Sequence, residues 1–139
     1  MNYSNIEKIF VENFIDKEYR ERIIYELSSN KKREKALSRL SHDAINILYR
    51  ERIIIQSCQL LYDDIKNYMR GSEKCYLLGG NIDQSIMRLK DCFNECMNNP
   101  LSVVIICDNG LVIVKEELTI GPPTKYVMYF DNIKHLYFN

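Results

Sequence analysis

The sequence predicts an α+β fold, with N-terminal helices followed by a β-α-β-β-β unit forming a mixed, mostly antiparallel sheet. Three observations predict it. Up to Gly71, apolar residues recur mainly at three- and four-residue spacing, the period of a helix with one buried face. From Cys75 onward, short apolar runs rich in β-branched residues alternate with turn residues. Two of those runs, Ser102 to Asp108 and Leu111 to Glu117, meet at Asn109-Gly110, the favoured pair for a two-residue hairpin turn. The 139 residues make one domain, 1–139, with a helical part (1–71), a β-α-β-β-β part (72–131) and a tail (132–139).

The helices follow from stripes and caps. Ser4 caps a short helix carrying Ile6, Ile9, Phe10 and Phe14. Asp16 caps a second, because its carboxylate accepts the free N–H groups of a first turn. Tyr19, Ile23 and Leu27 form that helix's stripe, and Ser28-Ser29-Asn30 breaks it. A third runs from about Lys31 toward Tyr49, with Leu37, Leu40, Ala44, Ile47 and Leu48 at helical spacing. Its first turn would hold Lys31, Lys32 and Arg33 where the helix dipole disfavours cations, so either a functional surface lies there or the helix starts one turn later. Residues 52–56, with Ile53-Ile54-Ile55, read as strand or helix. Ser57 caps a fourth helix with Leu61, Ile65, Tyr68 and Met69, ended by Gly71.

The sheet part begins with a strand at Cys75 to Leu78 and a turn at Gly79-Gly80. Asn81 then caps a helix striped by Ile82, Ile86, Leu89, Phe93 and Met97 and ended by Asn98-Asn99-Pro100. A right-handed crossover would make strands 75–78 and 102–108 parallel. The hairpin register sets Cys107 opposite Val112, Ile106 opposite Ile113 and Ile105 opposite Val114, with both faces apolar and therefore covered. Gly121-Pro122-Pro123 connects to a last strand, Tyr126 to Phe130.

Phe14-Ile15, Arg20-Glu21-Arg22, Glu26-Leu27-Ser28-Ser29, Lys31-Lys32-Arg33 and the Leu37 to His42 segment resemble the opening of a family of small uncharacterised bacterial α+β proteins with no assigned activity. Cys75-Tyr76, the Val103 to Cys107 strand and the turn at Gly110 resemble its second half. The resemblance implies the helices-then-sheet layout and supplies no catalytic residue.

Composition excludes several classes. Lys plus Arg and Asp plus Glu are both 19, so the chain is neutral and not a strongly basic nucleic-acid binder. No apolar segment approaches the roughly 18 residues a bilayer needs, and the N-terminus has no secretory pattern, so the expected location is cytoplasmic with no membrane partner. Heavy use of Ile, Asn and Lys suggests a low-GC bacterial source. The five cysteines are odd in number and none forms a C-x-x-C pair, which points to reduced buried thiols.

The chemical constellations are incomplete. Cys92 and Cys96 share a helix face, but two further ligands would have to converge. Nothing brings a particular cysteine to His42 for nucleophilic chemistry, and His135 lies in the tail. Asp108 and Lys115 evoke a metal-dependent nuclease hairpin, but Ile113 stands where its second carboxylate belongs. Gly79-Gly80-Asn81 lacks a phosphate-binding pattern. No catalytic residue, metal or cofactor is therefore expected.

The expected function is a non-enzymatic protein-interaction module of the inhibitor or immunity type, with an unknown protein partner or a second copy of the chain in a homodimer. Its contact residues would be Lys31, Lys32, Arg33, Lys35 and Arg39 on the basic helix and the aromatics Tyr126 and Tyr129 on the last strand. The alternative is a small enzyme or ligand-binding domain with a pocket between helices and sheet. A lesser alternative is nucleic-acid binding through the basic helix, disfavoured because no aromatics interleave there.

Overall fold

The computed structural model describes residues 3–97, 102–117 and 123–130. Its helices are α1 (Tyr3–Phe14), α2 (Arg20–Ser28), α3 (Arg33–His42), α4 (Ala44–Ile47), α5 (Tyr62–Ile65) and α6 (Leu89–Met97). Its strands are β1 (Ile53–Ser57), β2 (Lys74–Leu78), β3 (Ser85–Arg88), β4 (Val103–Cys107), β5 (Leu111–Lys115) and β6 (Lys125–Tyr129). The fold class is α+β, with N-terminal helices and one six-stranded sheet in the order β1-β6-β5-β4-β2-β3.

The helical half forms as its stripes require. Ile6, Phe10, Val11 and Phe14 of α1, Ile23 and Leu27 of α2, Ala36 and Leu40 of α3, and Ala44 and Ile47 of α4 are all buried. They pack on the sheet face built by Tyr76, Leu78, Val104, Ile106, Val112, Val114, Tyr126 and Met128. Each fully buried Ile, Leu, Val or Phe among them contributes about 1.5–3 kcal/mol. Asp16 accepts the Glu18 N–H at 3.2 Å and caps a 3-10 turn that leads into α2. The third helix starts at Arg33, so Lys31 and Lys32 lie in the preceding turn.

The opposite sheet face carries Cys75, Leu77, Val103, Ile105, Cys107, Leu111, Ile113 and Val127. Leu60 and Ile65 from the β1–β2 connection and Leu89 and Cys92 of α6 cover it. Both faces are thus buried, which is why the strands show no apolar–polar alternation.

The open strand-or-helix reading of residues 52–56 resolves, and several expectations need correction. Residues 53–57 are strand: three β-branched residues suit a sheet edge, and β1 pairs with β6. The fourth helix does not start at Ser57 and shrinks to the single turn of α5.

The helix expected from Asn81 starts only at Leu89, because Ser85–Arg88 pair with β2 instead. Gln84, at φ 66°, turns the chain back toward β2, and Ile86 and Met87 then alternate between the two cores. This extra strand makes β2 and β4 antiparallel rather than parallel. The strand-helix-strand unit survives as β3-α6-β4, which crosses over β2.

The β4–β5 register is also one residue away from expectation: Ile105 pairs with Ile113 and Ile106 with Val112. The loop has three residues, with Gly110 at φ 95° and Asn109 outside the positive-φ region. Local contacts decide this. Asp108 accepts hydrogen bonds from Ser72 Oγ (2.7 Å) and the Glu73 N–H (3.2 Å), and Asn109 Nδ2 donates to the Tyr68 and Arg70 carbonyls (2.8 and 3.1 Å).

The side chains of Ser4, Cys96 and Met97, the Asn98-Asn99-Pro100 break, Gly121-Pro122 and the tail with His135 lie outside the described residues.

Candidate functional site

The arginines of the basic segment point inward. Arg33 uses all five of its N–H groups. It is bidentate to Glu7 (2.9 and 2.7 Å), bidentate to Asp83 (2.8 and 2.9 Å) and donates to the Leu27 carbonyl (3.0 Å). Tyr76, wholly buried, donates its hydroxyl to Glu7. Asp83 also accepts the Gly79 N–H at 2.9 Å, which ties the β2–β3 turn to the helices. Glu7 and Arg33 help to line a recess of about 410 Å³, but with every donor engaged Arg33 is a clamp between layers.

Arg39 holds the buried Glu26 with two 3.1 Å bonds. Arg52 donates to the Asn13 carbonyl (2.9 Å) and stacks over Phe130 at 3.5 Å. Of the residues expected to contact a partner, Lys31, Lys32 and Lys35 stand on the surface, with Lys32 over the exposed Tyr25 ring at 5.1 Å. Tyr126 is buried beneath the helices and donates to Glu116 (3.1 Å); burial first, then Glu116, pushes its phenol up to about 12. Tyr129 is half-buried against Tyr68, with centroids 5.4 Å apart. Basic helix and aromatic strand therefore do not form one surface.

The buried carboxylates set the acid response. Burial pushes the Asp83 carboxyl up, but hydrogen bonds from Arg33 and from the Gly79 amide outweigh it, so it sits below its usual value. The Arg39 hydrogen bond holds Glu26 low against its own burial. Groups depressed in the folded state stabilise it fully above their unfolded values, and that stability is lost as pH falls through the folded values. Urea midpoints should stay flat from neutral to about pH 5 and fall below about pH 4.5. Glu26→Gln should flatten that fall; an unchanged slope would contradict the assignment.

Chemistry elsewhere is sparse. Among the described residues no three or more His, Cys, Asp and Glu side chains are grouped to hold a metal. Cys75, Cys92 and Cys107 are buried, and Cys58 is exposed. Burial pushes the Cys107 thiol well up, away from thiolate reactivity. His42 lies half-exposed, 3.0 Å from Glu117.

A cleft of about 720 Å³ lies on the α6 side of the sheet. Tyr62, Met69, Leu89 and Phe93 supply its apolar lining, with Tyr62 edge-on to Phe93 at 5.7 Å. Lys74, Arg88 and Lys90 line it with a single carboxylate, Glu73. Lys74 and Arg88 are partners across the β2–β3 ladder. The Leu89 N–H donates to the Glu73 carbonyl (3.0 Å), which fixes the ladder's phase and makes Lys74–Arg88 a non-hydrogen-bonded pair. Side chains of such pairs lie closest, so two cations opposed there repel. Among the described residues none of the three cations forms an ion pair. The cleft lies at the open end of the β2–β3 hairpin, whereas Arg33 grips its turn through Asp83.

Sequence reasoning did not find this site. Its cations become neighbours only once β3 is placed against β2, and the helical spacing of Ile82, Ile86, Leu89 and Phe93 conceals that strand.

No family model matches the chain, and neither a curated protein nor a solved structure does. Among the described residues no helix is long and apolar enough to cross a membrane.

Proposed function

We propose that this chain is a non-enzymatic protein-interaction module of a bacterial cytoplasm, binding an acidic partner at the cleft beside β3 and α6. The observation that carries the reading is the cationic edge of that cleft. Lys74 and Arg88 are opposed without a carboxylate partner at the rim, on the sheet face of Tyr76 and Ile86, and Lys90 of α6 adds a third charge to the residues around the cleft. A sequence does not keep like charges face to face for stability; a bound anion turns that repulsion into attraction. Tyr62, exposed in the cleft lining, adds apolar surface there.

The volume also favours a second reading, since about 720 Å³ falls in the range of small-molecule pockets. An anionic, partly apolar metabolite would use the same cations.

Affinity capture from source-cell lysate, with nuclease present to remove proteins bridged by nucleic acid, tests the reading. The wild type should retain one stoichiometric protein, and a Lys74→Glu/Arg88→Glu/Lys90→Glu variant with unchanged melting temperature should lose it. A Lys31→Glu/Lys32→Glu/Lys35→Glu variant should keep it. Loss with that second variant alone would move the contact to the α3 surface. Capture of no protein, with a co-purifying anion found by mass spectrometry, would favour the small-ligand reading.

A further inference from the structure

We infer that the partner contributes an acidic, extended segment that joins the sheet as a seventh strand on the outer edge of β3. This rests on the reading of the cleft as a protein-binding surface and goes further, to the partner's conformation and chemistry.

Among the described residues, strand β3 ends the sheet and pairs only with β2. The bond from the Leu89 N–H to Glu73 makes Met87–Cys75 and Ser85–Leu77 the hydrogen-bonded pairs. The backbone N–H and C=O groups of Ile86 and Arg88 therefore face away from β2. That is a two-residue docking template, enough to register a short strand beside it. Gln84 at φ 66° closes the template at one end and α6 at the other.

Charge and shape select the occupant. The exposed cations Lys74 and Arg88 stand across from each other at the edge, with Lys90 in the first turn of α6. An acidic side chain on the added strand would neutralise the repulsion that the ladder imposes. Strand alternation puts Lys74 and Arg88 on the face of Tyr76 and Ile86, while Met69 and Phe93 belong to the opposite, α6-side face, so an added strand that alternates acidic and apolar side chains meets both. Cations on an edge strand have a plainer use, in blocking unwanted pairing, and the experiment separates the two.

The probe is a capped, fluorescently labelled octapeptide alternating glutamate with valine and one phenylalanine; its control carries lysine for every glutamate. Anisotropy should show saturable micromolar binding of the acidic peptide alone, weakened at least tenfold by Lys74→Glu/Arg88→Glu. Amide exchange by NMR should show new protection at Ile86 and Arg88, which simple ion pairing would not produce. No saturable binding, binding unaffected by the charge reversal, or binding without protection of those amides would overturn the inference. So would a free protein that sediments as a dimer dissociated by the same reversal, since the occupant would then be a second copy. If the peptide fails while lysate capture still depends on Lys74, Arg88 and Lys90, the strand-addition inference falls and the interaction reading stands.

Discussion

Arg33→Met should destabilise the protein by about 3–5 kcal/mol, the usual cost of removing one member of a buried ion pair. At about 4 °C per kcal/mol for a domain of this size, the melting temperature should drop by on the order of 10–20 °C. The cause is what stays behind. Glu7 is 5% exposed and would be left buried with the Tyr76 hydroxyl but without its guanidinium partner. Asp83 would keep the Gly79 amide and lose both guanidinium bonds. Methionine fills most of the arginine's volume, so the loss would be electrostatic rather than a cavity. A Glu7→Leu/Arg33→Met double variant should regain at least half of the loss, because it removes the stranded charge as well. A single variant within about 1 kcal/mol of wild type in urea unfolding would show that the clamp contributes little. The same geometry shapes the design of charge-reversal tests on the basic segment. Lys31, Lys32 and Lys35 can be reversed on the surface, whereas Glu at position 33 would face two carboxylates.

None of this was visible in the residues around Arg33. Its carboxylate partners lie 26 and 50 residues away, and in sequence it is one cation in a run of three. The helical stripes were legible because burial on one face imposes a period that composition records, as at Ile6, Phe10 and Phe14. The strands Val103–Cys107 and Leu111–Lys115 were legible for a similar reason, being short β-branched runs on either side of a turn. Their register was not. A one-residue slip exchanges the faces of a strand, and selection against it needs one apolar and one polar face. Here both faces are buried, so apolar pattern cannot choose, and the choice falls to Asp108 and Asn109 gripping the segment that precedes β2. The cleft was hidden one step further. Its cations depend on β3, and β3 depends on a four-residue pairing that the period of a helix fits equally well.

The hairpin loop itself offers the second large effect. Gly110→Ala should cost about 2–4 kcal/mol, combining the strain of a positive φ with a collision. At φ 95°, a Cβ on residue 110 would run into the Phe130 carbonyl oxygen. That oxygen cannot swing aside, because the Phe130 N–H is bonded to the Gly110 carbonyl at 3.1 Å and the Phe130 ring lies under Arg52. The β5–β6 ladder must therefore part at this end, beginning at the pair Leu111–Tyr129. Gly71 separates the two contributions. Its φ is 81°, close to that of Gly110, yet nothing lies within 4 Å of its Cβ position. Gly71→Ala should cost only the backbone strain, about 1 kcal/mol. The difference between the two variants in urea unfolding measures the close approach of β6 to the loop, and amide exchange at Phe130 should accelerate in Gly110→Ala alone. Equal costs would mean that φ is the whole effect and that the three-residue loop has room that the described contact denies.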